Sequence, residues 1–188
     1  MTQPPPPVDG NSPAQALTAF LVAAAQCGDR KAMALLVSRW QRPLLAHAWR
    51  LTGDGEAARD AVQAVWLEIM RGLPGLNDTD AFPAWAYRIV TRRCARAIRA
   101  SQRQRALAAA IAAQPPPASA EMADPQARLH AAIRQLPPDQ RAAIALHHFE
   151  QLSVAEVAVA MAAPAGTIKT RLMHARRKLR ALLEGEDP

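Results

Sequence analysis

The stretch SVAEVAVAMAAPAGTIKTRLMHARRKLRALL, residues 153–183, decides the fold. Ser153 followed three residues later by Glu156 is a capping box, in which each side chain satisfies an orphan backbone donor at a helix start. Val154, Val157, Ala158 and Met161 then repeat at i, i+3, i+4 and i+7 and make one apolar stripe. Pro164, within the run 162–166, removes a backbone donor and restricts the residue before it, so this short helix stops and another begins. In the second helix Ile168, Leu172, Ala175, Leu179 and Leu182 fall within an arc of roughly 80° at about 100° per residue. Burying its four large aliphatic side chains contributes on the order of 6 to 12 kcal/mol before entropy is counted, so one narrow face fixes the helix to its domain.

The other side of that helix differs in kind. Lys169, Thr170, Met173, His174, Arg176, Arg177 and Arg180 point outward, with Arg171 and Lys178 near the apolar border, and no carboxylate occurs between Thr167 and Leu183. Solvated faces usually mix signs to limit self-repulsion. This one does not, and a helix-turn-helix ending in a uniformly basic helix is suited to a DNA groove.

These residues carry a resemblance. Leu136-Pro137-Pro138-Asp139-Gln140-Arg141, then Leu152-Ser153-Val154-Ala155-Glu156-Val157-Ala158, then Gly166-Thr167-Ile168-Lys169-Thr170-Arg171-Leu172 and Ala175-Arg176 resemble region 4 of the extracytoplasmic function (ECF) sigma factors. These are small alternative specificity subunits of bacterial RNA polymerase. A basic helix-turn-helix alone is shared by many regulators, whereas this ordered succession with these intervals is far more specific.

A second region tests the resemblance. Residues 54–72 read as a helix with Asp54 as N-cap, Val62, Val65, Trp66 and Ile69 as the buried stripe, and Glu56, Asp60 and Gln63 on the outer face. Ala58-Arg59-Asp60-Ala61-Val62-Gln63-Ala64-Val65-Trp66-Leu67 is similar to the family's region 2.2, which implies that Glu56, Asp60 and Gln63 bind polymerase core at the clamp helices of its largest subunit. The family commonly has an acid where this chain has Ala64; the Asp60 and Gln63 pair remains, and docking is expected to survive. For region 4 the resemblance implies a contact with the polymerase flap.

Phe82-Pro83-Ala84-Trp85-Ala86-Tyr87-Arg88-Ile89-Val90 resembles the aromatic start of regions 2.3 and 2.4, which read and help open the minus-ten promoter element. Pro74, Gly75, Asn77 and Asp78 mark residues 73–80 as a loop. In the family this loop holds a flipped non-template base, which implies edge hydrogen bonds from Asn77, Asp78 and Thr79. Phe82 and Trp85 fit a core better than a stacking platform. Arg92 stands where the family often has asparagine, so that position is expected near DNA without the usual base readout.

Charge is segregated along the chain. Arg88, Arg92, Arg93, Arg96, Arg99, Arg103 and Arg105 occur between Ala84 and Arg105 with no acid among them, and six more basic residues lie between Lys169 and Arg180; these windows hold 13 of the 23 Lys and Arg. From Gly53 to Phe82 there are instead six acids against two arginines. The acidic helix is expected to meet a basic protein surface, and the two basic helices to meet phosphates and release counterions. On the minus-ten side the expected contacts are Asn77, Asp78, Thr79, Arg88, Arg92, Arg93, Arg96 and Arg99. On the minus-thirty-five side Lys169, Thr170, Arg171 and His174 are expected to read bases, and Arg176, Arg177 and Lys178 to hold phosphates.

The organisation expected is all-α, with two small helical domains on a flexible linker: a disordered tail 1–11, region 2 over 12–105, a linker 106–123, and region 4 over 124–188. Residues 106–120 carry no charge and include Pro115, Pro116 and Pro117, while Asp124 with Pro125 suits the start of the next helix. Fully extended, the 18 linker residues span up to about 60 Å, the axial length of roughly 17 base pairs. Such a tether lets two domains occupy separate promoter elements at once. The first domain reads as four helices. One opens at Ser12 and Pro13 with a stripe of Leu17, Phe20, Leu21 and Ala24; the second opens at Asp29 and runs through Trp40 and Trp49 with a bend at Pro43; Gly28-Asp29-Arg30-Lys31-Ala32 and Leu35-Leu36 resemble region 2.1. Trp40, Trp49, Trp66 and Trp85 are expected to share one core.

Other functions find little support. Cys27 and Cys94 have no partner motif, and the adjacent His147 and His148 diverge by about 100° on a helix, which argues against metal ligation. No cofactor, metal site or catalytic constellation is expected. Residues 10–28 are uncharged, but their polar residues make a poor membrane span and the basic start of a signal peptide is missing, so the expected location is the cytoplasm. Many members of the family are held inactive by an anti-sigma factor, and the resemblance implies such a partner. Two alternatives remain open at this point: a sigma-like decoy that sequesters an anti-sigma factor, and a stand-alone helix-turn-helix regulator.

Overall fold

The structure, a computed structural model, describes residues 13–109 and 125–185. The helices there are α1 (Pro13–Gln26), α2 (Arg30–Thr52), α3 (Gly55–Gly72), α4 (Phe82–Ala109), α5 (Pro125–Arg134), α6 (Pro138–Ile144), α7 (Val154–Met161) and α8 (Ala165–Glu184), with no strand among the described residues. The tail 1–11, Ser12, Asp124 and the linker from residue 110 lie outside the described residues. Residues 106–109, read as linker, belong to the end of α4: their alanines continue the helix rather than break it.

Local signals set the boundaries of the first helical group. Asp29 accepts from the backbone N–H of Lys31 (2.8 Å) and Ala32 (3.2 Å) to start α2. Gly53 ends α2 at φ +72°, a left-handed conformation that favours glycine. α2 is continuous through Pro43. Asp54 then accepts from Glu56 N–H (2.8 Å) and Ala57 N–H (3.2 Å), as its position before the apolar stripe requires.

The core of this group joins Leu36, Leu44 and Ala48 of α2, Val62, Val65, Trp66 and Ile69 of α3, and Phe82, Ala86 and Val90 of α4, all buried. Phe82 meets Trp40 edge to face with centroids 5.4 Å apart. Two expectations about this core fail. On α1 the inward face is Thr18, Leu21 and Val22, while Leu17 and Phe20 are exposed, Phe20 by 67%. Thr18 tolerates burial because its hydroxyl donates to the Ala14 carbonyl (3.0 Å) and accepts from Arg39 Nε (3.2 Å). Trp49 is 38% exposed and lies outside the tryptophan cluster, tilted against His130 of α5 at 5.1 Å.

In the second group the capping box forms as read: Glu156 N–H donates to Ser153 Oγ (3.2 Å) and Ser153 N–H to Glu156 Oε2 (2.8 Å). Ala162 closes α7 in the left-handed region at φ +49°, and Pro164 precedes α8. Ile168, Leu172 and Ala175 are buried against α6 and α7. α6 runs on into a wider π turn, Ala145–Phe149, which closes with Glu150 N–H donating to the Ala145 carbonyl at 3.1 Å. His147 serves the turn, its Nδ1 lying 2.8 Å from the Leu152 carbonyl. The two groups are not held apart: α7 packs across α4, and one continuous core runs through both.

Candidate polymerase and promoter surfaces

α3 presents an uncommitted acidic face because its other side is fully engaged. Ala58, Ala61, Val62, Val65, Trp66 and Ile69 are buried, and Trp66 Nε1 donates to Gln41 Oε1 at 2.5 Å, which fixes the helix rotation. Glu56, Asp60 and Gln63 consequently stand exposed together. Leu67 and Met70, each 47% exposed, continue the same face at i+7 and i+10 from Asp60. Their positions on the helix wheel would have identified them, but an apolar residue beside a buried stripe reads as core.

The segment expected as a plain loop over 73–80 carries two short 3-10 turns, Leu73–Gly75 and Thr79–Ala81, the second reaching one residue beyond it. α1 pins the segment, with Gln26 Nε2 donating to the carbonyls of Leu73 (2.9 Å) and Leu76 (2.7 Å). Asn77 is exposed; Asp78 Oδ1 accepts from Asp80 N–H (2.9 Å), and Thr79 opens the second turn. Asn77 therefore keeps its side chain free of the protein contacts that occupy Asp78.

On α4, Arg88, Arg92, Arg93, Arg96 and Arg99 are all exposed. Arg92 is paired with Glu68 of α3, which also lies 3.9 Å from Arg93 Nε. Arg99 Nε returns to the Ala95 carbonyl at 3.1 Å. Cys94, on the opposite side, is fully buried, and desolvation pushes its thiol up to about 12. Cys27 is exposed, so the two thiols differ in environment.

α8 shows Lys169, Thr170, Arg176, Arg177 and Lys178 to solvent, with His174 half-buried. Arg171 is set apart from the other basic residues of this helix. Its Nη2 lies 2.5 Å from Asp139 Oδ2 of α6, and it faces the cleft toward α4. Arg176 Nε lies 3.3 Å from His148 Nε2. Burial, then His147, then Arg176 hold the His148 imidazole below its ordinary value.

A buried polar cluster joins the two groups, and no local motif signals it. Glu150, whose side chain is 6% exposed, accepts from Arg50 Nη1 (2.6 Å) through Oε1 and from the Tyr87 hydroxyl (2.8 Å) through Oε2. His47, fully buried, places Nδ1 3.4 Å from Glu150 Oε1 and Nε2 3.0 Å from Thr91 Oγ1. Burial and the adjacent Glu150 carboxylate raise the Tyr87 phenol far above its usual range, so it stays a donor. Arg141 adds a second link, donating to the carbonyls of Leu51 (2.7 Å) and Leu136 (3.2 Å) and to that of Arg134.

An exposed acidic helix face, an arginine helix beside a pinned turn, and a helix-turn-helix whose second helix is strongly basic are the features expected of a bacterial transcription initiation subunit. The sequence comparisons agree. Residues 36–104 match the Sigma-70 region 2 model and residues 126–179 the Sigma-70 region 4 model. The chain is 30% identical to the RNA polymerase sigma-H factor of Pseudomonas aeruginosa over 87% of its length and 92% of that protein. It is likewise 30% identical to the ECF RNA polymerase sigma-E factor of Escherichia coli K12, over 85% of this chain and 90% of that one. In fold it is similar to CnrH, solved in complex with the cytosolic domain of CnrY (TM-score 0.68, 22% identity, 91% of this chain and 99% of that chain). The sigma factor RpoE, solved with the anti-sigma factor NepR from Bartonella quintana, is equally similar (TM-score 0.68, 24% identity, 84% and 99%).

The chain belongs to the sigma-70 family, in its ECF group. It is an alternative sigma factor, a non-enzymatic subunit that directs RNA polymerase core to promoter DNA for initiation. No helix among the described residues is long and apolar enough to cross a membrane.

Proposed function

We propose that this sigma factor works in the cytoplasm by dividing three tasks among three surfaces. Glu56, Asp60 and Gln63, extended by Leu67 and Met70, dock α3 on the clamp helices of the largest polymerase subunit. Asn77, Asp78 and Thr79 with Arg88, Arg92, Arg93, Arg96 and Arg99 engage the minus-ten element. Lys169, Thr170, Arg171 and His174 read the minus-thirty-five element in the major groove, while Arg176, Arg177 and Lys178 hold phosphates, and the same domain meets the flap. Region 2 spans 12–105 and region 4 spans 124–188, each serving one promoter element.

The observation that supports this division is charge placed by helix rotation. The acids Glu56 and Asp60 of α3 and the exposed arginines of α4 and of α8 are each turned to solvent by an apolar stripe on the far side of their own helix. The polymerase performs nucleotidyl transfer, and this chain supplies binding energy that favours the opened duplex. An anti-sigma factor is the expected regulator, in line with the anti-sigma factor NepR bound to the Bartonella RpoE. In a competition assay against a reference sigma factor for core polymerase, Asp60→Arg is expected to lose binding while Arg177→Ala keeps it. Equal binding by both variants would refute the docking assignment.

A further inference from the structure

Between α4 and the second helical group lies a cleft of about 330 Å³ whose charge is almost wholly positive. Arg88, Arg92 and Arg99 reach it from α4, Arg171 from α8 and Arg141 from α6, against the single carboxylate of Asp139. The three α4 arginines stand at i, i+4 and i+11, so helix geometry puts them on one stripe. Arg92 is tied to Glu68 and Arg171 to Asp139, and Arg141 is spent on backbone carbonyls. Arg88 has no protein partner among the described residues, and Arg99 engages only its Nε, with the Ala95 carbonyl. Like charges crowded in this way repel one another, and an anion among them relieves the repulsion.

The floor has the opposite character. Ile98 of α4 and Ala160 and Met161 of α7 line the same space with apolar groups. The occupant that matches both is amphipathic, with several anionic oxygens for the arginines and a flat body for the floor. Guanidinium groups present planar pairs of donors that fit phosphate oxygens, and a cleft of one sign between low-dielectric walls concentrates its counter-ion. At about 330 Å³ the cleft falls at the small end of ligand pockets, roughly 300–1,000 Å³, and it admits no duplex. A bare inorganic anion would leave the apolar floor uncovered.

We propose that this cleft binds a nucleotide carrying two or more phosphates, with the phosphates between the arginines of α4 and Arg171 of α8 and the base on Ile98 and Met161. While bound, the nucleotide occupies arginines that promoter DNA also needs, so the two compete. The binding site stands on the cleft alone; the competition rests on the assignment of α4 to the minus-ten element. Nucleotide level then sets, by mass action, the fraction of the chain able to take promoter DNA.

Calorimetric titration of the full chain with ADP, pyrophosphate and adenosine in magnesium-free buffer tests the site. ADP is expected to bind at a single site, about tenfold more tightly than pyrophosphate because its base covers the apolar floor, and adenosine to give no measurable heat. Arg88→Ala and Arg171→Ala are each expected to weaken ADP by about tenfold, the loss of one charge-assisted contact. Arg88 is exposed and unpartnered, so its removal reads the ligand contact rather than folding. Ile98→Glu sets a carboxylate among the arginines at a position outside the packed core and is expected to abolish binding. Arg180→Ala, at an exposed site on α8 outside the cleft, is expected to leave ADP affinity as it is. No heat with ADP, pyrophosphate binding as tightly as ADP, or Arg180→Ala weakening it as much as Arg88→Ala would each overturn the site, the last by showing only a diffuse counter-ion effect. Displacement of a labelled single-stranded minus-ten oligonucleotide by ADP separates the site from the promoter assignment. ADP that binds as described without displacing the oligonucleotide overturns the competition and counts against the role given to α4. An oligonucleotide whose binding falls in Arg88→Ala, with no binding of ADP, overturns the nucleotide site and leaves the promoter assignment standing.

Discussion

Arg92 of α4 is held against the carboxylate of Glu68 on α3, so an acid on α3 partly neutralises the helix beside it. The pair is largely solvent-exposed and adds little to stability; its effect is on charge available to DNA. Glu68→Gln releases Arg92 and removes the nearby charge from Arg93. Binding of a single-stranded minus-ten oligonucleotide is expected to tighten at low salt, with a slope of log K against log salt steeper by about 0.7 for one added phosphate contact on a single strand. Fluorescence anisotropy across a potassium chloride series measures it, and an unchanged slope would show that Glu68 does not screen the arginines.

The two classes of basic residue on α8 separate by a selection experiment. Arg171→Ala is expected to alter preference at one base position by about 1 to 3 kcal/mol, whereas Arg177→Ala weakens binding across all sequences. Because Arg171 is also tied to Asp139, Asp139→Asn serves as the control and should leave base preference intact. The reverse pattern, with Arg177 setting preference, would exchange the two roles.

Phe82 is completely buried between Trp40 and Trp85, with ring centroids at 5.4 and 6.0 Å. Phe82→Ala is expected to cost about 3 to 5 kcal/mol and Phe82→Leu less than half of that. Urea denaturation of both variants checks the ratio, and equal midpoints would contradict a core position for this ring.

Much of this architecture was legible in local chemistry. Asp54 and the Ser153–Glu156 pair mark helix starts because a cap acts within three residues of itself, and both act as read. The stripes of α3 and α8 were legible because their apolar residues are large and their opposite faces polar. α1 misled because Leu17 and Phe20 outrank Thr18 in hydrophobicity, while burial of Thr18 depends on Arg39, 21 residues away. Trp49 misled because its neighbour His130 comes from the other helical group. The Glu150 pocket had no sequence signature at all: its partners sit at 47, 50 and 87, and only the docking of two domains brings them together.

The imidazole of His148 gives a sign for the pH response. Its folded value lies below the ordinary 6.5, since burial and the nearby His147 and Arg176 disfavour the charged form. The unfolded chain therefore binds the proton first, and this contribution to stability is present above about pH 6.5 and is lost as pH falls through that value. The melting temperature of the wild type is expected to drop between pH 7 and pH 5.5, and that of His148→Gln to drop less. A wild-type curve that rises on acidification, or parallel curves for the two proteins, would contradict this environment.

The central claim is that this polypeptide confers promoter-specific initiation on RNA polymerase core. The direct measurement is run-off transcription by purified core with and without the chain, on a library of genomic fragments, with 5′ ends mapped. Discrete start sites that appear only with the chain, share two sequence elements upstream, and vanish with Asp60→Arg are the predicted result. Core activity left unchanged by the chain at every fragment, with no defined start, would contradict the account.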